Sequence, residues 1–152
     1  SCRTGFVKER NQMDNEPILK IHVEVNRKDV RELQGPDGVV KMLPFGGAVE
    51  GKIFHGIVSP GAVDTQVTNC NQVRHMSARY MLEGYDEDEN FCHIYIENNG
   101  WFTNGERPSP FMTVPSFLTD SPTLARYLNR DNFRGEGRKE DGKLTIYIFE
   151  RY

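Results

Sequence analysis

Four polar residues in the middle of the chain have side chains suited to acid/base chemistry. Glu50 lies in a glycine-rich turn and Asp64 in a short polar segment, so either carboxylate could act as a base or orient a ligand. Arg79 would supply a fixed positive charge, and Tyr95 could donate a proton. A buried polar group without a partner costs roughly 1–3 kcal/mol, so we predict that these four catalytic candidates share one polar pocket. The alternative is a network of mutual hydrogen bonds that only fixes the strand register.

Five further residues are candidates for contacting a bound molecule: Gln66, His93, Glu97, Trp101 and Phe102. The glutamine lies two positions after Asp64, on the same face of a strand, where it could instead have a structural role. His93 and Glu97 share one face of a later strand, and either face of that strand could line the barrel interior. The two aromatic residues begin a proline-rich segment that could cover a barrel mouth, pack beneath a loop or form a subunit contact.

The sequence lacks the patterns that mark several other kinds of functional site. The histidines lie on separate predicted strands, at His22, His55, His75 and His93, without a His-x-His pair. A metal site would therefore need a coincidence of folding, and we predict neither a metal nor another cofactor. Three widely spaced cysteines argue against a disulfide framework or a structural zinc site. The glycine patterns of dinucleotide-binding and phosphate-binding loops are absent from the sequence.

The elements that must position these residues are mostly strands. Residues 18–25 alternate between apolar and polar side chains, which is typical of a half-buried strand. Residues 73–83 alternate as well, although their composition also suits a helix. The acidic turn at 86–90 and the β-rich segment after it favour a strand that forms a hairpin with residues 91–98. Asn99-Gly100 and Asp141-Gly142 are two-residue hairpin signals.

Two segments interrupt this succession of strands. Residues 101–116 contain three prolines and are expected to be irregular. Asp120-Ser121-Pro122 supplies a capping residue and a first-turn proline, and it predicts one short helix. About nine strands with one helix indicate an all-β antiparallel barrel or sandwich. We expect a flexible tail over residues 1–16 and a single domain over 17–152.

The segment 46–66, GGAVEGKIFHGIVSPGAVDTQ, resembles the domain-of-unknown-function family DUF3237. The matching positions are Gly46, Gly47, Val49, Glu50, Gly51, Pro60, Gly61, Asp64 and Gln66. Ala78-Arg79-Tyr80, residues 95–100 and Tyr127-Leu128-Asn129 are similar to later parts of the family pattern. The resemblance implies a lipocalin-like β-barrel of about eight to ten strands, often oligomeric, with a polar-lined interior and no settled activity.

Charge and hydropathy narrow the choice of partners. The net charge is −3, and basic residues alternate with acidic ones, which argues against nucleic acid. The apolar runs are too short to span a membrane, so we expect a cytoplasmic protein. Because the chain begins with Ser1 and not with methionine, we expect that its natural start has been trimmed or removed. Export with a lipid anchor at Cys2 is the minor alternative. A homo-oligomer would fit the resemblance.

These observations predict a barrel that binds a small, partly hydrophobic organic molecule. Such a barrel could convert its ligand by cofactor-free acid/base chemistry, as an isomerase, cyclase or lyase does. The first alternative is a structural or assembly module whose polar interior serves only stability. The second alternative is a metal-dependent barrel enzyme.

Overall fold

The computed structural model describes residues 16–103 and 107–151, most of which lie in β-strands. The strands are β1 Leu19–Val25, β2 Arg31–Gly35, β3 Gly38–Gly46, β4 Ala48–Glu50, β5 Phe54–Val58, β6 Val63–Asn69, β7 Arg74–Asp86, β8 Phe91–Phe102, β9 Phe111–Thr119, β10 Phe133–Glu140 and β11 Lys143–Glu150. A 3₁₀ turn covers Arg27–Asp29, and one helix, α1, covers Pro122–Leu128. The predicted tail, including Cys2, lies almost entirely outside the described residues.

The strands pair antiparallel and close into an eight-stranded barrel with additional strands. Strand β7 closes the ring because it pairs with β8 on one edge and with β6 and β5 on the other. The first half of β7 contacts β6 and its second half contacts β5. Strand β1 is shared in the same way between β3 and β4. The prediction of an antiparallel barrel with one short helix is confirmed.

One end of the barrel is filled by apolar side chains. Alternate residues of each strand face inward, and those nearest this end are among the least exposed in the described chain, including Leu82, Ile94 and Ile148. Helix α1 packs Leu124 and Leu128 into the same core cluster. Each such side chain stabilises the fold by about 1.5–3 kcal/mol when it is fully buried. This end therefore carries much of the hydrophobic core and leaves the opposite end to form a cavity.

A hydrogen-bond network attaches α1 to this packed end. Ser121 is the N-cap residue, and its Oγ accepts a bond from the Leu124 amide at 3.2 Å. The same hydroxyl donates to Asp86 Oδ2 at 3.0 Å. Asp86 Oδ1 in turn accepts bonds from the amides of Asp88 and Asn90. These bonds hold the pKa of Asp86 below its usual value, chiefly through the Asn90 amide.

The strand predictions at the centre of the chain are confirmed in type. Residues 73–83 lie almost wholly in β7, which pairs with β8, including the predicted segment 91–98. The turn between them is exposed at residues 87–90, whereas Asp86 is buried in the network that holds α1. Asp141 and Gly142 have positive φ angles of 53° and 77°, as a two-residue hairpin turn requires, and they join β10 to β11.

The prediction of a hairpin turn at Asn99-Gly100 is wrong, because both residues lie inside β8. A Cβ at Gly100 would lie 3.2 Å from Thr113 Cγ2 and 3.3 Å from the Phe102 ring, so close packing explains this glycine. The irregular segment predicted over 101–116 is also partly wrong. Its two ends belong to β8 and β9.

Replacing Ser121 with alanine removes the N-cap acceptor and a hydroxyl bond to Asp86 together. We expect the free energy of unfolding to fall by about 1–2 kcal/mol, measured by urea denaturation at neutral pH. Ser116→Ala is the matched control, because Ser116 is exposed and its Oγ makes only a long 3.5 Å bond. Equal stability of the two variants would show that the network does not hold α1 in place.

Candidate functional site

A cavity of about 430 Å³ occupies the end of the barrel opposite α1. Its apolar wall includes Val23, Leu43, Phe45, Met76, Phe111, Leu144 and Ile146. Its polar wall includes Asp64, Gln66, Tyr80, Asn98 and Thr113. The 3₁₀ turn after β1 and the turn between β10 and β11 contribute to the rim through Arg27 and Gly142. The cavity therefore combines an apolar interior with a limited set of polar groups.

Glycines in β10 allow this wall to be built. A Cβ at Gly135 would overlap Thr113 Oγ1, and a Cβ at Gly137 would overlap the Phe111 ring. Both glycines are buried on the inward face of their strand. The side chains of β9 can consequently lie across β10 inside the barrel. The sequence pattern Gly-x-Gly thus determines where two residues of the cavity wall are placed.

Three polar side chains form a chain of hydrogen bonds along β6 and the start of β7. Gln66 Nε2 donates to Asp64 Oδ2 at 2.8 Å. Arg74 Nη2 donates to Gln66 Oε1. Asp64 Oδ1 is buried and has no hydrogen-bond partner within the described residues. One oxygen of a carboxylate is therefore left available in the cavity wall.

Burial raises the pKa of the Asp64 carboxyl above its usual value. The hydrogen bond from Gln66 and the charges of Arg107 and Arg74 act in the opposite direction and only partly compensate. Tyr80 is buried, and burial together with the Asp64 charge raises its pKa as well. The Phe45 ring packs edge-on against Tyr80 with centroids 5.1 Å apart. The cavity thus holds a desolvated carboxyl group near a phenol that stays protonated.

Among the described residues that line the cavity, two further buried side-chain atoms have no hydrogen-bond partner. These are Asn98 Oδ1 and Thr113 Oγ1, on residues that are each 5% exposed. Asn98 lies directly opposite Ala78 on β7, which in turn lies opposite Asp64 on β6. The cavity is therefore lined by polar atoms on both sides of a small alanine.

The rim of the cavity is basic. Its cationic residues are Arg27, Lys41, Arg74, Arg107 and Lys139, whereas Asp64 is the single acidic residue among the described residues that line the cavity. The Arg107 guanidinium lies over the Phe111 ring, 4.4 Å from its centroid. Burial, followed by the charge of Arg74, lowers the pKa of Arg107 from its usual value.

The prediction that Glu50, Asp64, Arg79 and Tyr95 share one pocket is wrong. Only Asp64 lines the cavity. Glu50 is exposed in β4 and lies 3.3 Å from His22 Nε2. Arg79 alternates with the inward residues of β7, so it faces outward and pairs with Glu97 at 3.1 Å. Tyr95 lies opposite the exposed Met81 on the same outer face.

The predicted ligand contacts divide in the same way. Gln66 lines the cavity, whereas Glu97 faces outward with Arg79, and His93 Nδ1 lies 2.8 Å from Asp120 Oδ2 outside the barrel. Trp101 is 61% exposed and stacks on His75. Phe102 is buried inside the barrel, where it packs edge-on against Phe111 behind the cavity wall. The binding role of Gln66 stays a prediction.

Sequence reasoning missed Arg74, Asn98, Arg107 and Thr113. A signal existed for Asn98, because it shares the inward face of β8 with Ile94 and Ile96. A polar residue in an apolar series needs a partner or a ligand.

No group of three or more potential metal ligands comes together in residues 16–103 and 107–151. In the same residues, no helix is long and apolar enough to cross a membrane.

Asp64→Asn tests whether the carboxyl group is truly desolvated. A raised folded-state pKa means that the folded protein prefers the protonated form of Asp64. The stability that this protonated carboxyl group contributes is fully present below the usual pKa of 3.8 and is lost as the pH rises through the folded-state pKa. We therefore expect the variant to be more stable than the parent at pH 7, with the difference shrinking in acid. Urea denaturation at several pH values measures it.

Glu50→Gln is the control for that experiment, because it removes an exposed carboxylate from the outer wall. We expect Glu50→Gln to change the free energy of unfolding by less than about 0.5 kcal/mol at each pH value. An Asp64→Asn variant that is less stable than the parent at pH 7, and not in acid, would mean that the nearby cations outweigh burial.

The chain has several relatives of the same fold. It is 32% identical over 136 residues to a UPF0311 protein of Clostridium acetobutylicum, covering 78% of this chain and 82% of that protein. A crystal structure of a protein with unknown function from the same organism has a TM-score of 0.71 at 26% identity and covers 90% of this chain and 98% of that one.

A beta-barrel like protein from Acinetobacter baumannii has a TM-score of 0.70 at 22% identity, covers 89% of this chain and 93% of that one, and shares the fold. The family model described as protein of unknown function DUF3237 matches residues 13–151. The chain therefore belongs to the DUF3237 family.

Proposed function

We propose that this protein binds a small, partly hydrophobic organic molecule inside the barrel. The observation that carries the proposal is the cavity of about 430 Å³, into whose wall Asp64, Asn98 and Thr113 bring unpartnered polar atoms. Ligand pockets commonly have volumes of about 300–1,000 Å³ and combine apolar walls with a few polar groups. The cavity has both properties.

A purely structural role fits these groups less well. An interior that served only stability would be filled by its own side chains, as the α1 end of this barrel is. Each buried polar atom without a partner costs roughly 1–3 kcal/mol. Asn98 and Thr113 would impose that cost without benefit to the fold, whereas a ligand could hydrogen-bond to both.

Acid/base chemistry is the second candidate function, and Asp64 favours it. Its raised pKa makes it a better proton acceptor than an ordinary aspartate once it is ionised, and Oδ1 has no competing partner within the described chain. Tyr80, buried and protonated, would supply a hydrogen-bond donor to the bound molecule. A cofactor-free isomerase, cyclase or lyase can use a base together with a hydrogen-bond donor, and Asp64 with Tyr80 replaces the set of residues predicted from the sequence.

Ala78→Phe should block binding in the cavity, because Ala78 lies between Asp64 and Asn98 in the wall. The probe is the neutral fluorescent dye N-phenylnaphthylamine. We expect the parent protein to bind it with enhanced fluorescence. Ala78→Phe should weaken binding by about tenfold or more, because the added ring projects into the part of the cavity that the dye must occupy.

Leu118→Lys is the matched control on the outer wall, where Leu118 is 67% exposed. It should leave dye binding unchanged. Circular dichroism and thermal melting verify folding, and Ala78→Leu is the milder substitution if phenylalanine is not tolerated. Binding that is lost in Leu118→Lys and kept in a folded Ala78 variant would place the dye outside the barrel and contradict the proposal.

The acid/base role is tested with nitrobenzisoxazole, whose ring opens when a base removes its C–H proton and the N–O bond breaks to give a phenolate. A desolvated carboxylate promotes this elimination, so we expect a rate above that of equimolar acetate. Asp64→Asn should reduce the rate at least about tenfold, and Glu50→Gln should not change it. A rate independent of Asp64 would leave binding as the function.

A further inference from the structure

We propose that the bound molecule is an organic acid whose anionic group lies between Arg74 and Arg107 at the cavity mouth. This inference rests on the proposed function, because it names the class of ligand for the same cavity. The anionic group would be a carboxylate or a comparable oxyanion. The apolar part of the molecule would lie deeper, against Phe45 and Ile146.

The first argument is the charge at the mouth. The described residues that line the cavity include five cationic side chains and one carboxylate, so together they carry a formal excess of positive charge even when Asp64 is ionised. The protein as a whole carries a net charge of −3. A basic cavity in an acidic protein is a local feature of the site rather than a reflection of overall composition.

The second argument is that these cations form no salt bridge with a carboxylate of the described residues. On the outer wall, Arg79 pairs with Glu97, while Arg134 and Arg138 both pair with Glu136. Within residues 16–103 and 107–151, by contrast, none of the five mouth cations forms a salt bridge. Arginine is well suited to oxyanions because its planar guanidinium can donate two parallel hydrogen bonds.

The third argument is the position of the two arginines relative to Asp64. Among the described residues, hydrogen bonds join Arg74 to the Asp64 carboxylate through Gln66, whose amide occupies Asp64 Oδ2. Arg107 is partly buried against Phe111, near enough to Arg74 for their charges to repel. One carboxylate cannot balance two guanidinium groups, whereas a bound anion between them would relieve the repulsion.

The arrangement also orients the ligand. Tyr80, Phe45 and Ile146 line the cavity toward the packed end of the barrel, and Arg74 begins β7 at the mouth. A molecule with its charged group at the mouth would place its apolar body beside Ala78 and the unpartnered oxygen of Asp64. Inorganic phosphate could satisfy the arginines and would leave the deeper part of the cavity without contacts.

The experiment compares two dyes that differ in one anionic group. Anilinonaphthalene sulfonate carries a sulfonate, and N-phenylnaphthylamine has the same ring system without it. We expect the parent protein to bind the sulfonate at least about tenfold more tightly, because charge-assisted hydrogen bonds add to the apolar contacts. Raising the salt concentration should weaken binding of the sulfonate and not of the neutral dye.

Arg74→Gln and Arg107→Gln should each lower the affinity for the sulfonate dye by about tenfold and leave the neutral dye unaffected. Arg107→Lys keeps the charge and should retain most of the affinity. Arg79→Gln is the control, because it removes an arginine of the outer wall that pairs with Glu97. Circular dichroism establishes that each variant is folded.

The outcomes separate this inference from the proposed function. Failure of both dyes to bind would overturn both. Binding of the neutral dye with no preference for the sulfonate, or with a preference that survives loss of Arg74 and Arg107, would overturn the organic-acid inference alone. Octanoate should displace the sulfonate dye at far lower concentration than inorganic phosphate; equal displacement by the two would indicate a simple oxyanion site and contradict an organic acid.

Discussion

The register of β6, β7 and β8 is the constraint on which the candidate site depends. Asp64, Ala78 and Asn98 lie directly opposite one another across the three strands. Because side chains alternate between the two faces of a strand, this one alignment determines which residues of all three strands face inward. A shift of β7 by one residue would bring Arg79 into the barrel in place of Ala78. The hydrophobic core prevents that shift, since Leu82, Ile94 and Ile96 follow the same alternation and are fully buried.

The two ends of the barrel differ because their inward residues differ in size and polarity. Toward α1 the strands contribute large aliphatic side chains, which pack against Leu124 and Leu128. Toward the mouth the same strands contribute Ala78 and Asn98, and the inward positions of β10 are glycines. Protein interiors are normally close-packed, so an unfilled volume persists only where the rest of the core provides enough stability. The packed end thus makes the cavity at the other end possible.

Local patterns in the sequence were sufficient to predict most strands, the helix and the hairpin at Asp141-Gly142. They were not sufficient for the site, because the inward face of a strand depends on pairing with distant segments. Arg79 follows an alanine that the pairing with β6 and β8 places inside. The apolar residues that alternate with Arg79 in its own strand, Met76, Tyr80 and Leu82, already favoured an outward arginine, but only the pairing shows which residues of the neighbouring strands share the inner face. Asn99-Gly100 was misread for a related reason: Gly100 is required by close packing against β9, which local sequence does not reveal. Long-range packing can override turn propensity.

The cost of the polar interior supports the functional interpretation. Ionised Asp64 opposes folding through its desolvation, and Asn98 Oδ1 and Thr113 Oγ1 are buried without hydrogen-bond partners among the described residues. Arg74 and Arg107 add mutual repulsion at the mouth. Apolar residues of similar size would avoid each of these penalties without altering the barrel. Groups that destabilise the free protein, gathered in one cavity, are what a binding site requires, because a ligand that hydrogen-bonds to them recovers the same free energy as affinity.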